Sequence, residues 1–353
     1  MKQIRTADAV GHVLCHDVTK IVRGVTKDIA FQKGHIITES DVPVLLYLGK
    51  EHVYVWKDDE NMLHENEAAE ILAGLCINKN MYATEPREGK IELIANRDGL
   101  LIVDTRRLRT VNSIGGFMIA TRPSGIPVKK GEKLCGTRII PLTIEKKKME
   151  HVRILAGKPA LLKLLPLKKK KYGLINTGNE VFYGRIRDTF TPVIQEKMDA
   201  YGCKMVASVT LEDDPEKISA AIKGMIASGA QIVLCTGGMS VDPDDRTPHA
   251  IKKTADKIIS YGAPVLPGAM FMLAYMKDGT PVDKRVGASI GTPICGLPGC
   301  VMYSKRTIFD IVLPHLLADV EVTPEWLAGL GEGGLCMDCE TCIFPNCAFG
   351  KGR

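Results

Sequence analysis

From Tyr172 onward, short apolar runs alternate with amphipathic segments at a spacing that few folds accept. Gly173-Leu174-Ile175-Asn176 reads as a strand that ends in Thr177-Gly178-Asn179-Glu180. A helix follows, with Ile194, Met198 and Tyr201 on one face and Gly202 as its stop. A second strand, Met205 to Leu211, leads to Asp213-Asp214-Pro215, where a carboxylate caps a helix carrying Ile218, Ala221, Ile222 and Met225, ended by Gly229. The third strand, Ile232-Val233-Leu234-Cys235, is apolar throughout, as suits a strand covered on both faces. Three βα units in about seventy-five residues predict an α/β fold: a three-layer, doubly wound and mostly parallel sheet.

The third strand runs into Gly237-Gly238-Met239-Ser240-Val241-Asp242-Pro243-Asp244-Asp245-Arg246-Thr247-Pro248. Thr247 reads as a helix N-cap and Pro248 as the first helical residue, with Ile251, Ala255 and Ile258 along one face. Ligands of an open α/β sheet bind at the carboxyl ends of its strands, where free backbone N–H groups and a helix dipole favour anions. Two further glycine turns, Pro264-Val265-Leu266-Pro267-Gly268 and Cys295-Gly296-Leu297-Pro298-Gly299-Cys300, also follow apolar runs and are expected on that edge. A helix is expected from about Met302 to Leu317.

Glu180, Asp213 and Asp245 then fall in loops on one edge of the sheet. Carboxylates beside glycine turns suit Mg²⁺ held against phosphate oxygens. Taken singly, Asp213 and Asp214 also read as helix caps, Glu180 as a solvated turn residue and the glycines as an ordinary strand-to-helix turn.

In order, the motifs are Thr177-Gly178-Asn179-Glu180, Gly184-Arg185-Ile186-Arg187-Asp188-Thr189, Asp213-Asp214-Pro215, Thr236-Gly237-Gly238 through Asp245-Arg246-Thr247-Pro248, and Leu297-Pro298-Gly299. Together they resemble the molybdopterin-binding domain of molybdenum cofactor biosynthesis, over residues 172 to about 318. That superfamily includes molybdopterin adenylyltransferase, molybdopterin molybdenumtransferase (the insertase) and the competence/damage-inducible proteins with nucleotide hydrolase activity. The Asp-Arg-Thr-Pro ending is similar to the adenylyltransferase, and Gly-Gly-Met-Ser-Val to the insertase. The resemblance implies a three-layer α/β sandwich that takes molybdopterin with Mg²⁺, using ATP or molybdate. It implies catalytic roles for Asp213, Asp245 and Glu180, and a pocket formed by Thr177, Gly178, Gly237, Gly238, Ser240, Thr247, Pro298 and Gly299. A homo-oligomer and a molybdoenzyme partner are implied in the same way. A non-catalytic molybdopterin carrier or redox sensor, and a nucleotide pyrophosphatase of the competence-protein type, stand as alternatives.

At 353 residues there is room for about two or three domains. Residues 1–144 read as a mixed, β-rich domain without a catalytic signature. Its strand signals are Ile29-Ala30-Phe31, Val53-Tyr54-Val55-Trp56, Ile91-Glu92-Leu93-Ile94 and Leu100-Leu101-Ile102-Val103; its helices run from Ser40 to Leu48 and from Glu65 to Leu75. The lysine-rich stretch 145–170, interrupted by Pro159 and Pro166, reads as a connector to an α/β domain at 171–320. The two lysine runs account for much of the net charge of +6, yet they lack interleaved aromatics, which argues for solvated charge and against nucleic acid. No apolar run approaches the roughly 20 residues that span a bilayer, and Met1-Lys2-Gln3-Ile4-Arg5 lacks a signal-peptide core, so a cytoplasmic protein is expected.

Four of the eleven cysteines crowd into the segment 330–353 as Cys336-x2-Cys339-x2-Cys342-x4-Cys347. In a reducing compartment that spacing reads as metal ligation rather than disulfides, with Zn²⁺ and a 4Fe-4S cluster both suited to four thiolates.

Overall fold

The structure, a computed structural model, describes residues 1–22, 26–55, 59–240, 242–243, 245–277 and 291–352. Trp56, Val241 and Asp244, part of the motifs above, lie outside the described residues. The chain divides into two compact units: Met1–Arg97 with Leu101–Ser124 and Lys129–Leu164, and Leu165–Arg353 with Asp98–Leu100 and Gly125–Val128.

The first unit is built from short antiparallel pairings. Lys2–Arg5 pairs with His52–Val55, and Val18–Val22 with Thr26–Phe31. A four-stranded sheet takes the order Met81–Ala83, Lys90–Ala95, Lys133–Ile139, Phe117–Thr121. The helix Glu65–Cys76 starts with a reciprocal cap: the His64 ring accepts from Asn66 N–H, and the Glu67 carboxylate accepts from His64 N–H.

The stretch read as a connector contains a helix and a strand. Lys146–Ala156 is a helix whose Met149, Val152 and Ala156 are buried at the i, i+3, i+7 spacing, beneath the lysines that made the stretch look solvated. Leu162–Pro166 is a strand with Leu162 and Leu164 buried. A charge run thus concealed an amphipathic stripe.

In the second unit we number the elements β1 (Lys171–Thr177), α1 (Asn179–Phe182), α2 (Phe190–Asp199), β2 (Lys204–Leu211), α3 (Pro215–Ala227), β3 (Ile232–Thr236), α4 (Thr247–Thr254), β4 (Lys257–Tyr261), β5 (Met272–Met276), β6 (Thr292–Leu297), α5 (Ile308–Leu317) and α6 (Pro324–Ala328). The sheet order is β2-β1-β3-β6-β5-β4. β2, β1, β3 and β6 are parallel, while β5 runs antiparallel to both β6 and β4.

Alternate strand residues face two separate cores. Leu174, Leu234 and Leu297 pack with Ile194 and Met198 of α2 and with Phe309 and Leu313 of α5. Ile175, Val233 and Ile294 pack on the other face with Ile218 and Ile222 of α3 and Ile251 of α4. Three layers follow, and the central strands are apolar throughout because both their faces are covered.

Two helix boundaries differ from expectation. α4 stops at Thr254, and Ile258 belongs to strand β4, so the apolar spacing through Ile258 spanned a helix and a strand. After Pro298 the chain makes a 3₁₀ turn at Gly299–Met302, and α5 begins only at Ile308, where Thr307 and Asp310 form a capping box.

Candidate functional site

The carboxyl ends of the parallel strands are level. Thr177 pairs with Leu211, Asn176 with Thr236, and Thr236 with Leu297. The residues that follow, Gly178, Glu212-Asp213, Gly237-Gly238 and Pro298-Gly299, therefore leave the sheet along one edge. Four of the five sequence motifs are brought together by this register alone.

At the centre lies the glycine turn after β3. Gly237 has φ +81°, and a Cβ there would sit 1.9 Å from the Thr177 carbonyl oxygen, so neither the conformation nor the space admits a side chain. A Cβ on Gly238 would lie 2.8 Å from Asp213 Oδ1, 3.0 Å from Thr247 Oγ1 and 3.1 Å from Thr177 Oγ1. Three oxygens, from a strand end, a loop and a helix start, thus converge on the bare face of one glycine. Gly237→Ala should destabilise the second unit by about 2–4 kcal/mol, the sum of a left-handed backbone and a displaced strand end, read as a lower urea midpoint at unchanged slope.

The hydroxyls have defined partners. Thr177 and Thr247 are fully buried and share a hydrogen bond of 2.9 Å between their Oγ1 atoms. Thr247 was expected as an N-cap; it is instead the first residue of α4, and its hydroxyl reaches across to β1 rather than back to its own helix. Pro248 occupies the second helical position.

Asp213 is held by a reciprocal pair with α1: Asn179 N–H donates to its Oδ2 at 3.2 Å, and its own N–H donates to Asn179 Oδ1 at 3.4 Å. Its Oδ1 is buried and has no hydrogen-bond partner among the described residues. Burial pushes the Asp213 carboxyl above its ordinary range; the Thr177 hydroxyl and Asn179 N–H ease its charge, while Glu180 and Asp245 add like charge. Asp213 therefore feels the charge of both other sequence-predicted acids. Asp214, not Asp213, caps α3, accepting from Glu216 and Lys217 N–H.

Glu180 sits on the exposed first turn of α1 and folds its carboxylate back over Gly178, whose φ is +140°. Asp245 accepts from Ser240 N–H at 2.7 Å, closing the loop that leaves Gly238. Ser240 is exposed, as is Gly299, whereas Pro298 is buried. Beneath that loop, Met239 packs where a Cβ on Gly296 of β6 would be, 2.5 Å from its Cε.

The Gly184-to-Thr189 motif is carried beside the turn after β6, where Thr189 Oγ1 lies 3.0 Å from Met302 Sδ. Asp188 in that motif caps α2 through Phe190 and Thr191 N–H, a structural duty.

Three further side chains support the turn without having been assigned to the site from sequence. Asn176 and Thr236 pair side by side below the turn at 3.1 Å, with Asn176 Nδ2 left without a partner among the described residues. Tyr261, at the end of the distant β4, donates to the carbonyls of Met239 and Ser240 at 3.1 and 3.2 Å, pinning the glycine loop. Nothing in the sequence marks Tyr261, because its place depends on an antiparallel return across the sheet.

Cys336, Cys339, Cys342 and Cys347 are free thiols that line one cavity on the second unit. Among the described residues no three His, Cys, Asp or Glu side chains come together as a ready single-ion site. Among those residues, too, no helix is long and apolar enough to cross a membrane.

Residues 173–318 match the family described as "Probable molybdopterin binding domain", and residues 3–57 match a domain of unknown function (DUF8806). The chain is 26% identical over 186 residues to a molybdopterin molybdenumtransferase of Synechococcus elongatus, covering 47% of this chain and 44% of that protein. It is 33% identical over 152 residues to a molybdenum cofactor biosynthesis bifunctional protein of the same organism, covering 41% and 46%. A CinA-like protein of Mycobacterium leprae is 26% identical over 168 residues, covering 44% of this chain and 38% of the relative. The chain spans less than half the length of each of these relatives. The glycine cradle and its facing acids thus lie within residues 173–318, the part of the chain that matches the probable molybdopterin binding domain.

Proposed function

We propose that the second unit binds molybdopterin at the carboxyl edge of its sheet and acts on it as a Mg²⁺-dependent transferase, by adenylyl transfer or molybdenum insertion. The observation that carries this reading is the bare face of Gly238, bordered by Asp213 Oδ1 and the Thr177 and Thr247 hydroxyls. Gly237 and Gly238 would offer the pterin phosphate backbone N–H groups and Ser240 its hydroxyl, while Gly178, Thr247, Pro298 and Gly299 would wall the pocket.

Mg²⁺ is commonly held by one or two carboxylates, with phosphate oxygens and water filling the remaining positions. The residues are of the kind that pattern uses: Asp213 Oδ1 is buried with no hydrogen-bond partner at bonding geometry among the described residues, the Thr177 hydroxyl lies beside the carboxylate, and Asp245 and Glu180 contribute like charge. Bound there, the metal would offset phosphate charge as the phosphoryl bond is remade. The chain's own part is to draw Asp213 partly out of solvent and to fix the glycine loop through Tyr261. ATP or molybdate would be the second substrate. A homo-oligomer, a molybdoenzyme recipient, and a metal on the tail thiolates, Zn²⁺ or an iron–sulfur cluster, complete the reading.

Anaerobic incubation with molybdopterin, Mg²⁺ and ATP tests it, following pterin retention and pyrophosphate release together. Retention with release is the expected result for adenylyl transfer. Retention without release supports insertion, or a non-catalytic carrier if added molybdate also gives no product. Failure to retain the pterin overturns the reading. Similarity to CinA-like proteins supports a second reading, a nucleotide pyrophosphatase, marked by Mg²⁺-dependent dinucleotide cleavage without pterin.

A further inference from the structure

The segment that carries the four clustered cysteines is woven into the second unit. Leu335 forms a parallel bridge with Leu266; Leu266 N–H donates to Gly334 O, and Cys336 N–H to Leu266 O, both at 2.8 Å. Phe349 is buried, and Phe344, Cys336 and Cys347 pack against the core beside α5. Lys351 donates to the carbonyls of Pro345 and Cys347. A segment free in solvent would need none of this.

Cys336, Cys339, Cys342 and Cys347 border a partly open cavity of about 70 Å³, together with Lys305 and Arg306. Lys305 Nζ donates to the carbonyls of Cys339 and Glu340 at 2.9 and 3.0 Å, fixing the loop between the second and third thiols. Arg306 reaches Cys342, lies 5.3 Å from the Phe344 ring centroid, and has a buried Nε with no hydrogen-bond partner among the described residues.

We propose that this cavity is the seat of a 4Fe-4S cluster held by Cys336, Cys339, Cys342 and Cys347, with Lys305 and Arg306 as its cationic wall. Among the described residues the thiols are not gathered as a single-ion site requires, and they border one common space that a polynuclear cluster would occupy. On assembly the four thiols lose their protons, and the group formed is anionic. Lys305 and Arg306 on its border would offset that charge. The proposal deepens the thiolate reading of the tail and does not depend on pterin binding.

The test is anaerobic reconstitution of the full chain with iron and sulfide under a thiol reductant, without pterin. The expected result is about four iron and four sulfide per chain, with a broad visible absorption that dithionite bleaches. Cys339→Ser should lower cluster occupancy at least tenfold with an unchanged melting profile, whereas Cys300→Ser, outside the cavity, should retain it. Lys305→Met should assemble the cluster and lose it several-fold faster in air. Equal loss in Cys300→Ser overturns the assignment. So does stoichiometric Zn²⁺ uptake that blocks cluster assembly, or a chain that takes up neither iron nor sulfide. Failure of pterin retention in a cluster-loaded chain would sink the transferase reading alone.

Discussion

Asp213→Asn is expected to lower Mg²⁺-dependent turnover of molybdopterin about a hundredfold while leaving the protein as stable as the parent at neutral pH, or more so by up to about 1 kcal/mol. The two effects share one cause. Burial raises the Asp213 carboxyl above its ordinary value, so the ionised form that a metal or phosphate site requires is the form the fold tolerates least. The sign follows from proton binding. Between the ordinary carboxylate value and the raised folded value the native state holds more protons than the unfolded chain, so the Asp213 contribution to stability falls as pH rises through that window. The stability difference between Asp213→Asn and the parent should therefore shrink as pH is lowered through it. Denaturant titrations at several pH values, paired with turnover at saturating Mg²⁺, check both halves. A variant with full turnover would remove Asp213 from the catalytic assignment; one that is unstable at neutral pH would mark it as structural.

Asp310→Ala should be the most destabilising single change in the second unit, by about 3–5 kcal/mol. Asp310 is 5% exposed, and both of its oxygens accept from Lys197 Nζ at 2.9 Å. It also accepts from Arg306 Nη1 and from the N–H of Thr307, with which it caps α5. Lys197, itself 12% exposed, would be left as an uncompensated charge between α2 and α5. The melting temperature should fall by roughly 10 °C. The double variant Lys197→Met/Asp310→Leu should recover most of that loss, because removing both charges also removes their desolvation cost. A double variant as unstable as the single one would show that the cap and the Arg306 contact, rather than the stranded lysine, carry the effect.

The sheet was legible where strands are buried on both faces. Leu174-Ile175 and Ile232-Val233-Leu234-Cys235 have no polar positions to confuse the period, and a glycine turn follows each. The convergence of Glu180, Asp213 and Asp245 was legible too, because strand ends of a parallel sheet share one edge whatever the loops contain. Legibility failed where a local signal had two meanings. The lysines of 146–148 marked solvent and also roofed a buried stripe at Met149, Val152 and Ala156. Ile251, Ala255 and Ile258 satisfied a helical period across an actual helix end. Tyr261 and the Thr177–Thr247 pair rest on contacts between residues distant in the chain, for which one sequence carries no mark.

The anchoring of residues 335–350 reaches beyond the cavity they border. Gly350 rests so close on Ile311 that a Cβ would lie 2.7 Å from its Cδ1, and its N–H donates to Gly333 at 2.9 Å. The α/β domain is thus closed by residues that leave the ribosome after its sheet has formed. A nascent chain carries all six strands of this sheet and α5 before it carries Gly350, so the surface of Ile311 that Gly350 covers is expected to stay open until that residue is made. Premature stops or proteolytic trimming near residue 335 would leave that surface exposed. In a cell, they should be read out as aggregation or turnover of the whole chain rather than as loss of the cysteine segment alone.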